Sequence, residues 1–206
     1  DKRKVTASTY EVLVDGAKAE SCIVTTPYEN LHILPSSLDL AAAELEISDK
    51  KGRESILKNA LLPIKQYYDY IIIDCPPSLG LITTNALTAS DTFLVPIQCE
   101  YYALEGLTQL MSTVRRIKRQ YNNTIDIEGV LLTMYDGRLN LTQQVVEEVK
   151  KLFPRKVFKT VIPRGVRLSE APSFGMPVIY YDKNCKGSIT YTELAKEIIA
   201  KERSYE

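Results

Sequence analysis

The 206-residue chain offers few soft metal ligands: one histidine, His32, and four cysteines, Cys22, Cys75, Cys99 and Cys185. No two cysteines form a C-x-x-C pair, so neither a zinc site nor a disulfide framework is expected. Scattered thiols fit a reducing cytoplasm. No stretch approaches the roughly 20 apolar residues of a membrane span, and the opening DKRKVTASTYEVL has no secretory character. Neither sign of charge is in excess, with Lys+Arg and Asp+Glu both 26. Any binding to nucleic acid or a membrane surface must therefore come from a local patch. The 13 tyrosines are dispersed and form no stacking platform for single strands. There is no internal repeat, low-complexity tract or long linker, so a single domain over 1–206 is expected. Nowhere does the sequence carry G-x-x-x-x-G-K-[ST], the loop whose backbone amides wrap phosphates.

What is present reads as alternating strands and helices. NLHILP (30–35) suits a short strand, and SSLDLAAAELE (36–46) a helix that Ser36 could cap. GRESILKNALLPIKQ (52–66) is amphipathic, with Pro63 set to kink or end it. YIIID (70–74) is apolar and β-branched without alternation, which predicts a strand buried on both faces. LITTNALTAS (81–90) reads as helix and TFLVPIQ (92–98) as strand. In the helix expected over 103–121, Leu107, Leu110, Met111, Val114 and Ile117 share one face. A strand over 127–135, a helix over 141–153, a last strand over 156–163 and a closing helix over 188–202 complete the order. The alternation implies an α/β fold, a mostly parallel sheet covered by helices on both faces. Ligands in such sheets bind beyond the carboxyl ends of the strands. That rule selects 74–80, 98–105, 133–138 and 163–171.

Each of these segments has a chemical and a plain reading. Asp74 ends an apolar strand, where a carboxylate can hold a magnesium-bound water, or it caps the next turn. Cys75-Pro76-Pro77 stiffens the loop that follows, and Gly80 permits a turn or a close approach. Pro96 within a strand points to an edge or a bulge. Gln98 and Glu100 face the crevice, or Glu100 and Glu105 simply complement a helix dipole. TMYDGR (133–138) and IPRGVRLSEAP (162–172) put Arg138, Arg164 and Arg167 on one rim, suited to phosphates or to local salt bridges. Met134 and Pro163 suit the flat face of a purine. The basic VRRIKRQ (114–120) closes a helix, where cations complement the dipole.

Four runs, YDYIIIDCPPSLGLITTNALTASD, VPIQCEYYALEGLTQL, IEGVLLTMYDGR and KVFKTVIPRGVRLSEAPSFGMPVIYYD, closely resemble the ParA/Soj family of chromosome- and plasmid-partitioning ATPases. Weaker similarity covers the rest of the chain. The resemblance implies a deviant P-loop ATPase that binds ATP and magnesium, forms a nucleotide-sandwich homodimer and binds DNA without sequence preference. It also implies a cytoplasmic, nucleoid-associated protein whose hydrolysis is stimulated by a ParB/Spo0J-like partner. Asp74 matches the family's catalytic, magnesium-side aspartate. Thr133, Met134, Pro163, Arg164 and Gly165 match the adenine-side loops, and Arg138 and Arg167 match arginines associated with DNA. The family has Pro-Arg-Asn where this chain has Pro163-Arg164-Gly165. The cluster cysteines of the related nitrogenase iron protein have no counterpart, and no basic amphipathic tail of the MinD kind follows Glu197.

Family members carry a strand, a KGGVGKT-like loop and a second strand ahead of the part that matches. This chain alone is therefore expected to lack hydrolysis, and a non-catalytic DNA- or protein-binding module is the alternative. The sheet neighbours of the absent strand are expected to expose unpaired edges, relieved by rearrangement or by pairing with another chain.

Overall fold

The computed structural model describes residues 5–100 and 103–202. Ten helices are assigned among them: α1 Thr9–Val14, α2 Ala19–Cys22, α3 Leu40–Glu46, α4 Ile56–Leu61, α5 Leu81–Ala89, α6 Ala103–Gln120, α7 Asn140–Leu152, α8 Val166–Glu170, α9 Val178–Tyr181 and α10 Lys186–Glu202. The strands are β1 Val24–Thr25, β2 His32–Ile33, β3 Thr92–Gln98 and β4 Asp126–Thr133. The chain divides into two compact units, one of residues 1–91 and 110–125, the other of residues 92–109 and 126–206.

In the first unit, α1 begins with a capping box. Tyr10 N–H donates to Ser8 Oγ at 3.2 Å, and Ser8 N–H donates to the Glu11 carboxylate at 2.6 Å. These bonds satisfy two amides that the first turn leaves without partners. Val12 packs with Ala19, Cys22 and Ile64 in a small core. β1 and β2 form an antiparallel pair. The helix expected over 52–66 is divided: a 3-10 turn Arg53–Ser55, then α4, then a second 3-10 turn Lys65–Tyr67 beyond Pro63. Proline has no N–H to donate and ends the α-helical pattern there.

Two buried asparagines organise this unit. Asn85, fully buried in α5, accepts from Leu57 N–H at 3.1 Å and donates to the Arg53 and Leu81 carbonyls at 2.7 and 3.1 Å. Asn122 donates to the Leu87, Thr88 and Ser90 carbonyls, closing the far end of α5.

The strand expected at 70–74 is not formed. The run is irregular, and no strand among the described residues pairs with it. Ile71 and Ile72 are 39% and 91% exposed, so the expected burial on both faces is corrected. An apolar β-branched run becomes a buried strand only when neighbours supply hydrogen bonds on both sides.

The second unit holds the parallel pair β3–β4. Its register slips between Phe93 and Leu94, which pair with Ile127 and Gly129. Glu128 is the extra residue of a bulge. Pro96 is exposed, on a strand whose only assigned partner among the described residues is β4. Segment 156–163 runs beside β4 but forms only two isolated parallel bridges, Val130 to Val157 and Tyr135 to Pro163, not the continuous strand expected. The interruption has a visible cause. The amides of Lys159 and Thr160 turn away to the Glu197 carboxylate on α10, at 2.8 and 2.9 Å. At Gly129 an added Cβ would lie 2.5 Å from the Phe158 ring and 2.9 Å from the Lys156 carbonyl. This glycine lets the two segments approach closely over the Leu131, Phe158, Ile162 and Leu194 core.

Candidate functional site

Asp74 lies in the first unit, exposed at the end of the 70–74 run. The loop behind it is fastened to α5. Thr83 Oγ1 donates to the Ser78 carbonyl at 2.6 Å, and Thr84 Oγ1 and N–H both donate to the Gly80 carbonyl. Glu44 on α3 accepts from Ile82 N–H at 3.0 Å, and a Cβ on Gly80 would sit 2.3 Å from the same carboxylate oxygen. Gly80 has φ of −81°, so it supplies a close approach, and the group that approaches is a side chain of this unit. The turn after Asp74 thus takes its capping bonds from Glu44, Thr83 and Thr84.

The other candidates lie in the second unit, at the carboxyl ends of its parallel segments. β4 ends at Thr133, whose carbonyl accepts from Cys99 N–H at 3.2 Å. Met134 follows with φ of +52°, in a left-handed region that costs a side-chain-bearing residue roughly 1 kcal/mol. It is held there because Tyr135 N–H reaches the Ile162 carbonyl at 3.1 Å on its other side. The Tyr135–Pro163 bridge sets 133–135 beside 162–164, which brings Thr133, Met134, Pro163 and Arg164 to one edge, with Met134 exposed. Gly165 stands just before α8 with φ of −155°, extended backbone open to any residue. Its Cβ would meet only Leu168, at 3.8 Å.

All three rim arginines are paired with carboxylates. Arg138 donates from Nε and Nη2 to the two oxygens of Asp136, at 2.9 and 2.6 Å, and its own N–H adds a bond of 3.1 Å. These bonds hold the Asp136 carboxyl down at about 2, with Arg164 contributing. Arg164 meets Glu100 at 3.3 Å. Arg167 meets Glu170 at 2.8 Å and Asp182 at 3.4 Å, and lies 6.0 Å above the Tyr181 ring. The sequence pointed to the arginines and passed over Asp136, Glu170 and Asp182; the D-x-R spacing of 136–138 was the available signal. In the 98–105 stretch, Tyr101, Tyr102 and the side chain of Glu105 lie outside what the structure describes.

Residues 1–127 match the family described as an AAA domain. The chain is 56% identical to the sporulation initiation inhibitor protein Soj of Bacillus subtilis over 97% of its own length and 79% of the relative's. It is 48% identical to the chromosome-partitioning ATPase Soj of Treponema pallidum, over 94% and 76%. The chain belongs to the Soj/ParA family of chromosome-partitioning ATPases. Among solved structures it is similar to a cobyrinic acid a,c-diamide synthase from Mycobacterium smegmatis with bound ATP analogue and magnesium. That likeness has a TM-score of 0.84 and 32% identity, covering 100% of this chain and 77% of the other. The α/β, P-loop NTPase-like fold expected of a Soj/ParA protein is therefore present.

The departure at Gly165 is testable. Gly165→Asn should fold normally, with a stability change within about 0.5 kcal/mol, because neither φ nor space at 165 requires glycine. If the family's asparagine contacts adenine, nucleotide affinity of the full-length variant should rise by about threefold to tenfold, the worth of one hydrogen bond. Thermal melts and nucleotide titration check both, and a variant that fails to fold contradicts the local geometry.

Proposed function

We propose that residues 1–206 belong to one ATPase domain that binds ATP with magnesium, forms a homodimer, binds DNA without sequence preference and answers to a ParB/Spo0J-like partner at the nucleoid. The observation that carries this reading is the joining of 133–135 to 162–164 at the carboxyl ends of parallel segments, where α/β sheets take their ligands. Thr133, Met134, Pro163, Arg164 and Gly165 line the adenine side, and Arg138 and Arg167 meet DNA phosphates.

Asp74 takes the magnesium side. Among the described residues no group of three or more His, Cys, Asp or Glu could enclose a metal ion. A single exposed carboxylate suits the mode in which magnesium keeps most of its water and takes one carboxylate and the nucleotide phosphates. When bound, the ion neutralises charge on the transferring phosphoryl group. Among the described residues no helix is long and apolar enough to cross a membrane, and the site assigned here needs none.

The test is ATP binding and hydrolysis with magnesium and DNA, comparing this chain with a version extended upstream to the gene's natural start. The extended protein should bind and turn over ATP, and this chain alone should not, because backbone amides and lysines around the phosphates are the main stabilisers of the transition state. If neither binds nucleotide, the function is that of a DNA- or protein-binding module. For DNA, Arg138→Ala combined with Arg167→Ala should weaken duplex binding about tenfold or more and flatten its salt dependence by up to about 0.9 log units per lost contact. Affinity and slope both unchanged would remove the arginines from the DNA face.

A further inference from the structure

The three rim arginines, Arg138, Arg164 and Arg167, face four carboxylates, Asp136, Glu100, Glu170 and Asp182. Together these groups carry no excess positive charge, so on their own they offer no field that would attract a polyanion. Asp136 is the tightest of the four partners. It uses both oxygens on the Nε and Nη2 edge of Arg138, a fork that guanidinium also offers to phosphate. The Asp136 side chain is 25% exposed, whereas that of Arg138 is 89% exposed. The carboxylate is thus the anchored partner and the guanidinium the one able to swing.

Resting on the reading that Arg138 binds DNA, we infer that Asp136 is an internal competitor for phosphodiester groups, holding Arg138 back and setting the protein's affinity for the DNA backbone. The phosphate and the Asp136 carboxylate want the same N–H edge, and both carry negative charge. When a phosphate takes Arg138, Asp136 loses its partner and draws a cation from solution. That uptake offsets one of the counterions released from the duplex. The arrangement therefore lowers both the affinity and the salt sensitivity of binding relative to an unpaired arginine. Because Asp136 titrates at about 2, physiological acidification does not open the pair; only a competing anion does.

The test uses the full-length protein with ATP and magnesium, and labelled non-specific duplex DNA read by anisotropy across a salt series. Asp136→Asn keeps the size of the side chain and removes its charge. It should tighten binding by about threefold to tenfold and steepen the salt slope by up to about 0.9. In an Arg138→Ala background the same change should alter affinity by less than about twofold, since the competitor then has nothing to withhold. An equal gain in both backgrounds would mean a general charge effect and overturn the inference. So would an Asp136→Asn variant that binds DNA more weakly or unchanged while Arg138→Ala still weakens binding; the DNA role of Arg138 would then stand and only the competition would fall. If Arg138→Ala itself leaves affinity untouched, the DNA reading of this arginine fails and the competition falls with it.

Discussion

Asp74→Asn in the full-length protein is expected to slow ATP hydrolysis about a hundredfold to a thousandfold, the usual scale for one misplaced electrostatic group at a phosphoryl-transfer centre. The same change should leave folding almost untouched. Asp74 is exposed, and the turn behind it is held by Glu44, Thr83 and Thr84. The two readings of this aspartate make opposite forecasts. A turn-capping aspartate would lose stability and keep turnover; a magnesium-side aspartate would lose turnover and keep stability. Steady-state hydrolysis and a thermal melt on one preparation separate them. Turnover within about twofold of the parent would retire Asp74 as a functional group.

Asn85→Ala should cost about 2–3 kcal/mol of stability, because it strands the buried Leu57 N–H and removes the donor from the part-buried Arg53 carbonyl. For a chain of this size that corresponds to a fall in melting temperature of roughly 8 °C. Leu81 matters less, since its carbonyl also serves the helix. The loss should appear in the first unit, where Asn85 joins the Arg53–Ser55 turn and α4 to α5. Asn85→Asp should be costly too, because it keeps an acceptor for Leu57 and removes the donor to Arg53. A melt shifted by less than about 2 °C for Asn85→Ala would mean that water replaces the amide there.

The elements that were legible are those whose own pattern suffices. The strands at 92–98 and 126–133 and the helices at 103–120 and 140–152 fall within a residue or two of expectation. Their cues are local: the buried stripe of Leu107, Val114 and Ile117, and apolar runs ended by polar loops. α1 was missed even though Ser8 and Glu11 stand at capping-box spacing, because six residues are too few to show a helical period. The last strand was read as continuous because nothing within 156–163 announces the break; the carboxylate that draws off its amides is 38 residues away. At 70–74 the composition was strand-like, but a strand depends on partners elsewhere in the fold. The site was half legible for a related reason. Arginines stand out in a sequence, and Asp136 and Glu170 stand at pairing distance along the chain, but the parts played by Glu100 and Asp182 are visible only once distances are known.

The exposed side chains at 70–72 also bear on how residues 1–206 behave when handled alone in solution. Tyr70, Ile71 and Ile72 form an exposed apolar group, the kind of patch that draws copies of a chain together. For such a preparation, loss of material is governed by how fast these patches meet as much as by the melting temperature. Covering those three side chains should keep it in solution for longer.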